Sequence, residues 1–240
     1  LLAMSHPILM HTVNPEQQHW VQGLISLYPH STTPTSVADQ PTWPLAIAAP
    51  PWGMDSGQLE NLDWLPPSPL DCPEIIRESG ARLIYAAHQR CTGTTYALTS
   101  PGLGFGTARG LEHFRRELMQ QHWLESVVAL PSGAHQGTSI EGLLLVLRKN
   151  RQPDEPVHIV DATQVLPAIK QRAQSHTWPQ TAVHELVQVL QERRECSYAR
   201  LVPPSELEAN AFNLQVNRYL FSDTDLQLQQ YLESRQTLQL

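Results

Sequence analysis

Residues 94–149 read TTYALTSPGLGFGTARGLEHFRRELMQQHWLESVVALPSGAHQGTSIEGLLLVLRK. Thr94–Thr99 (TTYALT) has the composition of a strand, and Pro101–Gly106 (PGLGFG) that of a glycine-rich loop. Leu111–His122 places Leu111, Phe114 and Leu118 at helical spacing. Leu124–Leu130 (LESVVAL) and Gly142–Leu147 (GLLLVL) read as strands, joined by the Pro131-Ser132-Gly133 turn and a loop to Ser139. That connection is too short for a parallel crossover, so the two are expected to pair antiparallel.

Upstream, Pro73–Arg90 predicts an amphipathic helix with Ile75, Ile76, Leu83, Ile84 and Ala87 facing inward. Leu45–Ala49 (LAIAA) is a continuous apolar run stopped by Pro50-Pro51, the pattern of a strand buried on both faces. Eight prolines between Pro41 and Pro73 make the segment after it a loop with fixed turns. Asn14–Tyr28 predicts a helix capped by Asn14, with Pro15 in its first turn and Trp20, Leu24 and Leu27 on one face; Pro29–Pro44 is a polar linker. Downstream, Val157–Val160 adds a strand, Ala182–Arg193 is helical, Tyr198–Val202 is extended and Asp225–Gln236 forms a terminal helix. Strand–helix alternation of this kind predicts an α/β domain, its largely parallel sheet flanked by helices and ending in an antiparallel pair. The organisation is an N-terminal helix and linker (1–44), an α/β core (45–165) and a mixed, helical extension (166–240).

The chain has 240 residues, 41% of them apolar, which is enough for a core and excludes wholesale disorder. With 16 Lys and Arg against 23 Asp and Glu the net charge is -7, so a global basic footprint for nucleic acid is absent and any DNA contact must be local. Cys72, Cys91 and Cys196 are odd in number, far apart and without a C-x-x-C pair, the pattern of reduced thiols in a cytoplasmic protein. Leu1–Val13 has no positive n-region and no run of 18 apolar residues occurs, so neither a leader nor a membrane span is expected.

Two motifs sit where an α/β sheet presents ligands. Gly102-Leu103-Gly104-Phe105-Gly106 follows a strand, but its G-x-G-x-G spacing lacks the helix-packing third glycine of a dinucleotide site, and a tight loop is the better reading. Ala48-Ala49-Pro50-Pro51-Trp52-Gly53 follows the Leu45 strand and puts a rigid backbone and a flat ring at a strand's carboxyl end. The 11 histidines form no H-E-x-x-H or i,i+4 pair, so no metal is expected, and the absence of G-x-S-x-G leaves a serine nucleophile unsupported. Arg109, Arg115 and Arg116 form the basic cluster of the core; they are either a solvated helix face or phosphate contacts.

The order of APPWG, a proline-rich loop, a helix, a strand and the block 110–149 resembles the N6-adenine DNA methylases, in particular modification subunits of type I restriction systems. Leu130-Pro131, Gly137-Thr138-Ser139-Ile140 and Leu145–Lys149 match that family's L-P, G-T-x-I and V-L-x-K marks in order and spacing. Asn213-Leu214 and Arg218-Tyr219 match its N-L-x-x-x-R-Y segment, so the resemblance spans about residues 40–220. It implies a partial Rossmann-like methyltransferase sheet, the target-base half of the catalytic domain. It also implies that Pro50, Pro51 and Trp52 stand in the N-P-P-F/Y motif that receives an extruded adenine, where the first Pro carbonyl orients the amino group and the aromatic stacks on the base.

Two departures follow from the same resemblance. Ala49 occupies the position of the family's Asn or Asp and carries no acceptor; loss of one placed polar group typically costs about 10²–10³ in rate. The family's S-adenosylmethionine pocket comes from a glycine-rich turn after an earlier strand, whereas the 44 residues before Leu45 hold one glycine, Gly23. The expectation is therefore a degenerate or partial adenine methyltransferase-like protein of a restriction, defence or mobile-element system, with no cofactor bound by this chain alone. Two alternatives stand beside it. A second polypeptide docks on the edge of the Leu45 strand, where a second copy could also associate, and completes an S-adenosylmethionine-dependent enzyme; or the old fold serves purely as a protein-interaction module.

Overall fold

The computed structural model describes residues 43–50, 52, 79–134, 139–168 and 178–220. The expected helices Asn14–Tyr28 and Asp225–Gln236, the start of the Pro73 helix, Pro51 and most of the proline-rich loop lie outside these residues. The elements are β1 (Trp43–Ala48), α1 (Ser79–Arg90), β2 (Cys91–Thr99), α2 (Pro101–Phe105), α3 (Arg109–Gln120), β3 (Leu124–Leu130), β4 (Gly142–Arg148) and β5 (Val157–Asp161). They continue with a 3-10 turn (Ala162–Gln164), α4 (Gln180–Glu192), β6 (Ala199–Val202), α5 (Pro204–Ala209) and a second 3-10 turn (Val216–Arg218).

The six strands form one mixed sheet in the order β1-β2-β4-β3-β5-β6. β1 and β2 are parallel, as are β3 and β5, while β4 runs antiparallel to both of its neighbours and β6 antiparallel to β5. The short 130–142 connection thus forces the reversal expected from its length. It also lets β4 slip between β2 and β3, so that β1, β2, β3 and β5 all point the same way. Their carboxyl ends converge on one edge of the sheet, which is where this class of fold presents ligands.

Alternation of side chains splits the core in two. On one face Ala48, Ala97, Leu145, Val127 and Ile159 pack against Ile84 and Tyr85 of α1, Phe114 and Leu118 of α3, and Leu207, Leu214 and Tyr219. On the other, Val128, Leu130 and Val160 pack against Leu186 and Val189 of α4 and against Tyr198. The segment read as a C-terminal extension therefore supplies a strand, a helix and several of the largest buried side chains.

Three local expectations are corrected. β1 is buried on one face only: Ala46 and Ala48 are buried, whereas Ile47 is 52% exposed and its register partner Tyr96 42%. The reason is position, since β1 ends the strand order among the described residues and α4 covers the opposite half of that face. β2 begins at Cys91, three residues early, directly from α1; a Cβ at Gly93 would lie 2.3 Å from the Pro44 carbonyl oxygen, so only glycine lets β1 approach at its register shift. Pro101–Phe105, expected as a loop, is a short helix despite two glycines, because tertiary contacts described below override weak propensity.

His88 of α1 is fully buried, with Nδ1 2.9 Å from the Thr95 hydroxyl and its ring edge-on to Trp123 at 4.7 Å. Burial, reinforced by the Lys149 charge, pushes it down to about 3. The folded protein thus binds this proton less readily than the unfolded chain, whose histidine titrates near 6.5. The contribution of neutral His88 is complete above pH 6.5 and is lost as pH falls toward 3. Urea unfolding of His88→Gln is expected to show a flatter loss of stability between pH 6.5 and 4 than the parent; equal slopes would refute the assignment.

Candidate functional site

Ala49 and Pro50 continue β1 past its last paired residue, Ala48, which faces Ala97 of β2. Ala49 is exposed; Pro50 is buried, its Cγ 3.8 Å from where a Cβ on Gly80 of α1 would stand. Trp52 is half-buried in the turn that follows. The motif thus stands at the convergent carboxyl edge, with Pro51 outside the described residues. Of the turn before β4, Ser139 and Ile140 are described and exposed, and Gly137 and Thr138 are not described.

Along the same edge lies a cleft of about 250 Å³. One wall is α2, through Pro101 and Phe105; its floor holds Ala129 of β3 and Gly142 and Leu143 of β4. Glu141, Asp161 and the 214–217 segment close the rest. The Asp161 carboxylate caps the following turn, accepting from the Thr163 and Gln164 side chains and from the Thr163 backbone N–H at 3.1 Å.

The basic cluster is divided by the structure. Arg109 and Arg116 are exposed on α3, Arg116 lying 5.6 Å from the Phe212 ring centroid. Arg115 is buried and its guanidinium is consumed inside the protein. Nε donates to the Phe212 carbonyl (3.1 Å), and the two terminal nitrogens donate to the Leu103 (3.0 Å) and Gly106 (3.0 Å) carbonyls. Burial lowers its pKa from the ordinary guanidinium value, partly offset by Glu112 and Tyr219. The expectation of a phosphate contact at Arg115 is therefore corrected: every direction in which it donates ends on a carbonyl of its own chain. Sequence spacing cannot tell the inward member of an Arg109/Arg115/Arg116 set, because Phe212 is 97 positions away.

That clasp organises the second matching segment. Ala211 and Phe212 are both in the left-handed region (φ 52° and 56°), a costly pair for residues with a Cβ, by roughly 1–2 kcal/mol each. The turn is held by Arg115 on the Phe212 carbonyl and by the Phe212 N–H to Leu207 (2.8 Å). Leu214 then donates to the Gly104 carbonyl (2.8 Å), and the Tyr219 hydroxyl donates back to the Asn213 carbonyl, so N-L-x-x-x-R-Y is a closed loop anchored by two fully buried side chains. Burial pushes the Tyr219 phenol up to about 12.

The glycines of GLGFG are accounted for by the same packing. A Cβ at Gly104 would meet Leu143 at 2.9 Å, and one at Gly106 would meet Leu111 at 2.5 Å and the Gly102 carbonyl at 2.8 Å. The space over Gly104 and Gly106 is filled by the protein itself, which leaves no seat for a methyl donor there, while Gly102 has only an ordinary 3.8 Å contact with Ser100; the described residues form no other glycine-rich turn after a strand. Among the described residues no group of three or more His, Cys, Asp or Glu side chains could hold a metal ion, and no helix is long and apolar enough to cross a membrane. Phe105, Glu141, Asp161 and Asn217 were not singled out by sequence; Phe105 and Asn217 lay inside motifs read for their glycines and for their family marks.

Comparison with known proteins places these features in context. The sequence profile described as N-6 DNA Methylase matches residues 33–227. The methylase subunit of the type I restriction enzyme MpnII from Mycoplasma pneumoniae is 23% identical over 160 residues, covering 65% of this chain and 29% of that protein. A type I restriction-modification methyltransferase subunit from Streptococcus thermophilus superposes with a TM-score of 0.66 at 17% identity, over 87% of this chain and 47% of its own. A chain from a study of complex assembly and conformational transition in the type I system gives 0.56 at 13% identity, over 88% and 47%. The chain thus spans about half the length of these solved structures, and less than a third of the curated relative.

Arg115→Met is expected to take this donor from three carbonyls, one buried and two part-buried, and to cost about 3 kcal/mol in urea unfolding, independent of salt. Arg109→Met is expected to stay within about 0.5 kcal/mol of the parent. Equal effects of the two would refute the division between clasp and surface.

Proposed function

The chain belongs to the N-6 DNA methylase family, and on that premise we propose that it supplies the target-base half of an adenine methyltransferase-like unit and transfers no methyl group on its own. The observation that carries this reading is Ala49. At the carboxyl end of β1, directly before buried Pro50 and the Trp52 turn, its methyl side chain offers no oxygen to an adenine amino group. The Pro50 carbonyl and the Trp52 ring remain suited to receive a base, but without the second acceptor the nitrogen lone pair is not oriented for attack. The filled GLGFG turn adds support, since it leaves the described residues without a donor site.

In this reading the chain associates with DNA in a restriction, defence or mobile-element system inside the cell. Arg109 and Arg116 contact phosphates from the exposed face of α3, and Arg115 positions that helix rather than touching DNA. A second reading is favoured by one feature, the place of β1 at the end of the strand order among the described residues. A strand from a second polypeptide added alongside β1 would extend the sheet and bring an S-adenosylmethionine site with it, making this chain one part of an active enzyme.

The proposal is tested by a calorimetric titration with S-adenosylmethionine and a transfer assay with labelled donor and unmethylated DNA; labelled adenine appearing only when a second polypeptide is added would favour the second reading. For the chain alone, no saturable heat at micromolar donor and no labelled adenine are expected, with Ala49→Asn equally inactive. DNA binding at low salt is expected to weaken steeply as salt rises, and Arg109→Met and Arg116→Met are each expected to reduce the salt slope by about 1. Micromolar donor binding, or methylation by the chain alone, would overturn the proposal.

A further inference from the structure

The chemistry of the cleft differs from that of the Pro50–Trp52 turn. It begins at β4, the second strand from β1, about 10 Å along the sheet at ordinary strand spacing, so it is a separate seat on the same edge. Among the described residues its charged lining is Glu141 and Asp161, with no lysine or arginine. A phosphate or carboxylate ligand is therefore disfavoured, and a neutral or cationic one preferred. Asp161 is held by Thr163 and Gln164, so it acts as a fixed negative charge, while the Glu141 side chain stands exposed at the rim.

Shape and apolar lining narrow the ligand further. Phe105 presents its ring 44% exposed on the α2 wall, although Leu103 of the same helix is buried. A cavity of about 150 Å³ holds a benzene ring, so about 250 Å³ suits a single base. Gln215 and Asn217 also line the cleft, and their amides can donate as well as accept, which matches the mixed edge of a nucleobase. The cleft is held open from both sides: Arg115 fixes the carbonyls of α2 on one wall and of Phe212 behind the other, and Leu214 is bonded to Gly104.

We propose that this cleft seats one unstacked nucleobase bearing an exocyclic amino group, adenine, cytosine or guanine, with its ring against Phe105 and its amino group donating to Glu141. The proposal rests on the reading that the chain associates with DNA. It adds a second base seat beside the Trp52 turn, one that does not depend on the acceptor missing at Ala49. Arg109 and Arg116 lie exposed on α3, which follows α2 directly, with exposed Glu112 between them, so a strand can leave phosphates on these two cations while a base turns into the acidic cleft.

The test is a titration of the full chain with adenosine, cytidine and thymidine, alongside low-salt binding of a labelled duplex and of a labelled ten-residue deoxyadenosine strand. Adenosine and cytidine are expected to saturate, and thymidine, which lacks the amino group, is not. Phe105→Ala is expected to weaken adenosine and the single strand by about tenfold or more, as loss of a stacking ring does. Glu141→Leu is expected to abolish the preference over thymidine. Both side chains are exposed, so both variants keep the fold, verified by an unchanged urea midpoint. The proposal falls if adenosine fails to saturate or if both variants bind like the parent; salt-sensitive duplex binding that persists in that case leaves the DNA reading intact. Nucleoside binding that depends on Phe105, without any binding of duplex or strand, keeps the cleft and removes the DNA reading. Saturation by N-acetylarginine amide in place of the nucleosides would make the cleft a seat for a basic protein side chain and overturn the proposal.

Discussion

The buried guanidinium of Arg115 is the interaction on which the functional edge depends. A charge taken out of water is tolerated only when its donors are satisfied, and here they end on the carbonyls of Leu103, Gly106 and Phe212. Those carbonyls belong to two pieces of backbone that would otherwise be poorly determined. One is a five-residue helix containing two glycines, with no side-chain cap; the other is a turn with two successive left-handed residues. Neither forms on local propensity. A planar fork with several fixed donors can hold both at once, and a flexible ammonium cannot do so with the same geometry. The clasp therefore converts a residue of α3 into the element that sets the distance between the cleft's walls.

The sheet makes this edge useful. Because β4 is inserted antiparallel between β2 and β3, four strands end on the same side while their connections remain short. The chain following β1, β2 and β5, and the chain leading into β4, all emerge there. In one short stretch of surface they deliver the Pro50–Trp52 turn, α2, Glu141 and Asp161. The opposite edge is built differently. There Arg151 is buried and donates to the Glu155 (2.8 Å) and Pro156 (2.9 Å) carbonyls, and Arg148 bridges Glu125 and Glu155, an ion-pair network that closes the ends of β3 and β5. One edge is tied off and the other presents chemistry.

The strands of this molecule were legible because their signals are local. GLLLVL and LESVVAL declare themselves as apolar runs bounded by turns, and the length of the 130–142 connection alone dictates their antiparallel pairing. The Ala49-Pro50-Trp52 turn was legible for the same reason: two prolines after an apolar run mark a strand's end. What failed to show was set by partners distant in sequence. Arg115 could not be told from Arg116, since one faces Phe212's carbonyl and the other its ring. The burial of β1 was misjudged because LAIAA carries no polar residue on its open face, so alternation was invisible. Glycines at 104 and 106 signalled ligand approach or a loop, whereas Leu143 and Leu111 occupy the space above them.

Electrostatics assigns different tasks to neighbouring surfaces of the edge. The chain's net charge of -7 opposes polyanions in general, so the exposed Arg109 and Arg116 act only at short range, within roughly a Debye length of 8–10 Å at physiological salt. A cleft bearing Glu141 and Asp161 has α2, which leads directly into α3, as one wall. The juxtaposition disfavours a phosphate inside the cleft and favours one outside it, while a neutral ring is indifferent to the sign and gains from Phe105. On the proposed base seat, acidic lining acts as a filter on orientation: a nucleic acid strand would enter base first and not backbone first. Under the proposed function an alanine at position 49 and such a filter are compatible, because the first withholds the orientation that chemistry requires and the second keeps the geometry that binding requires.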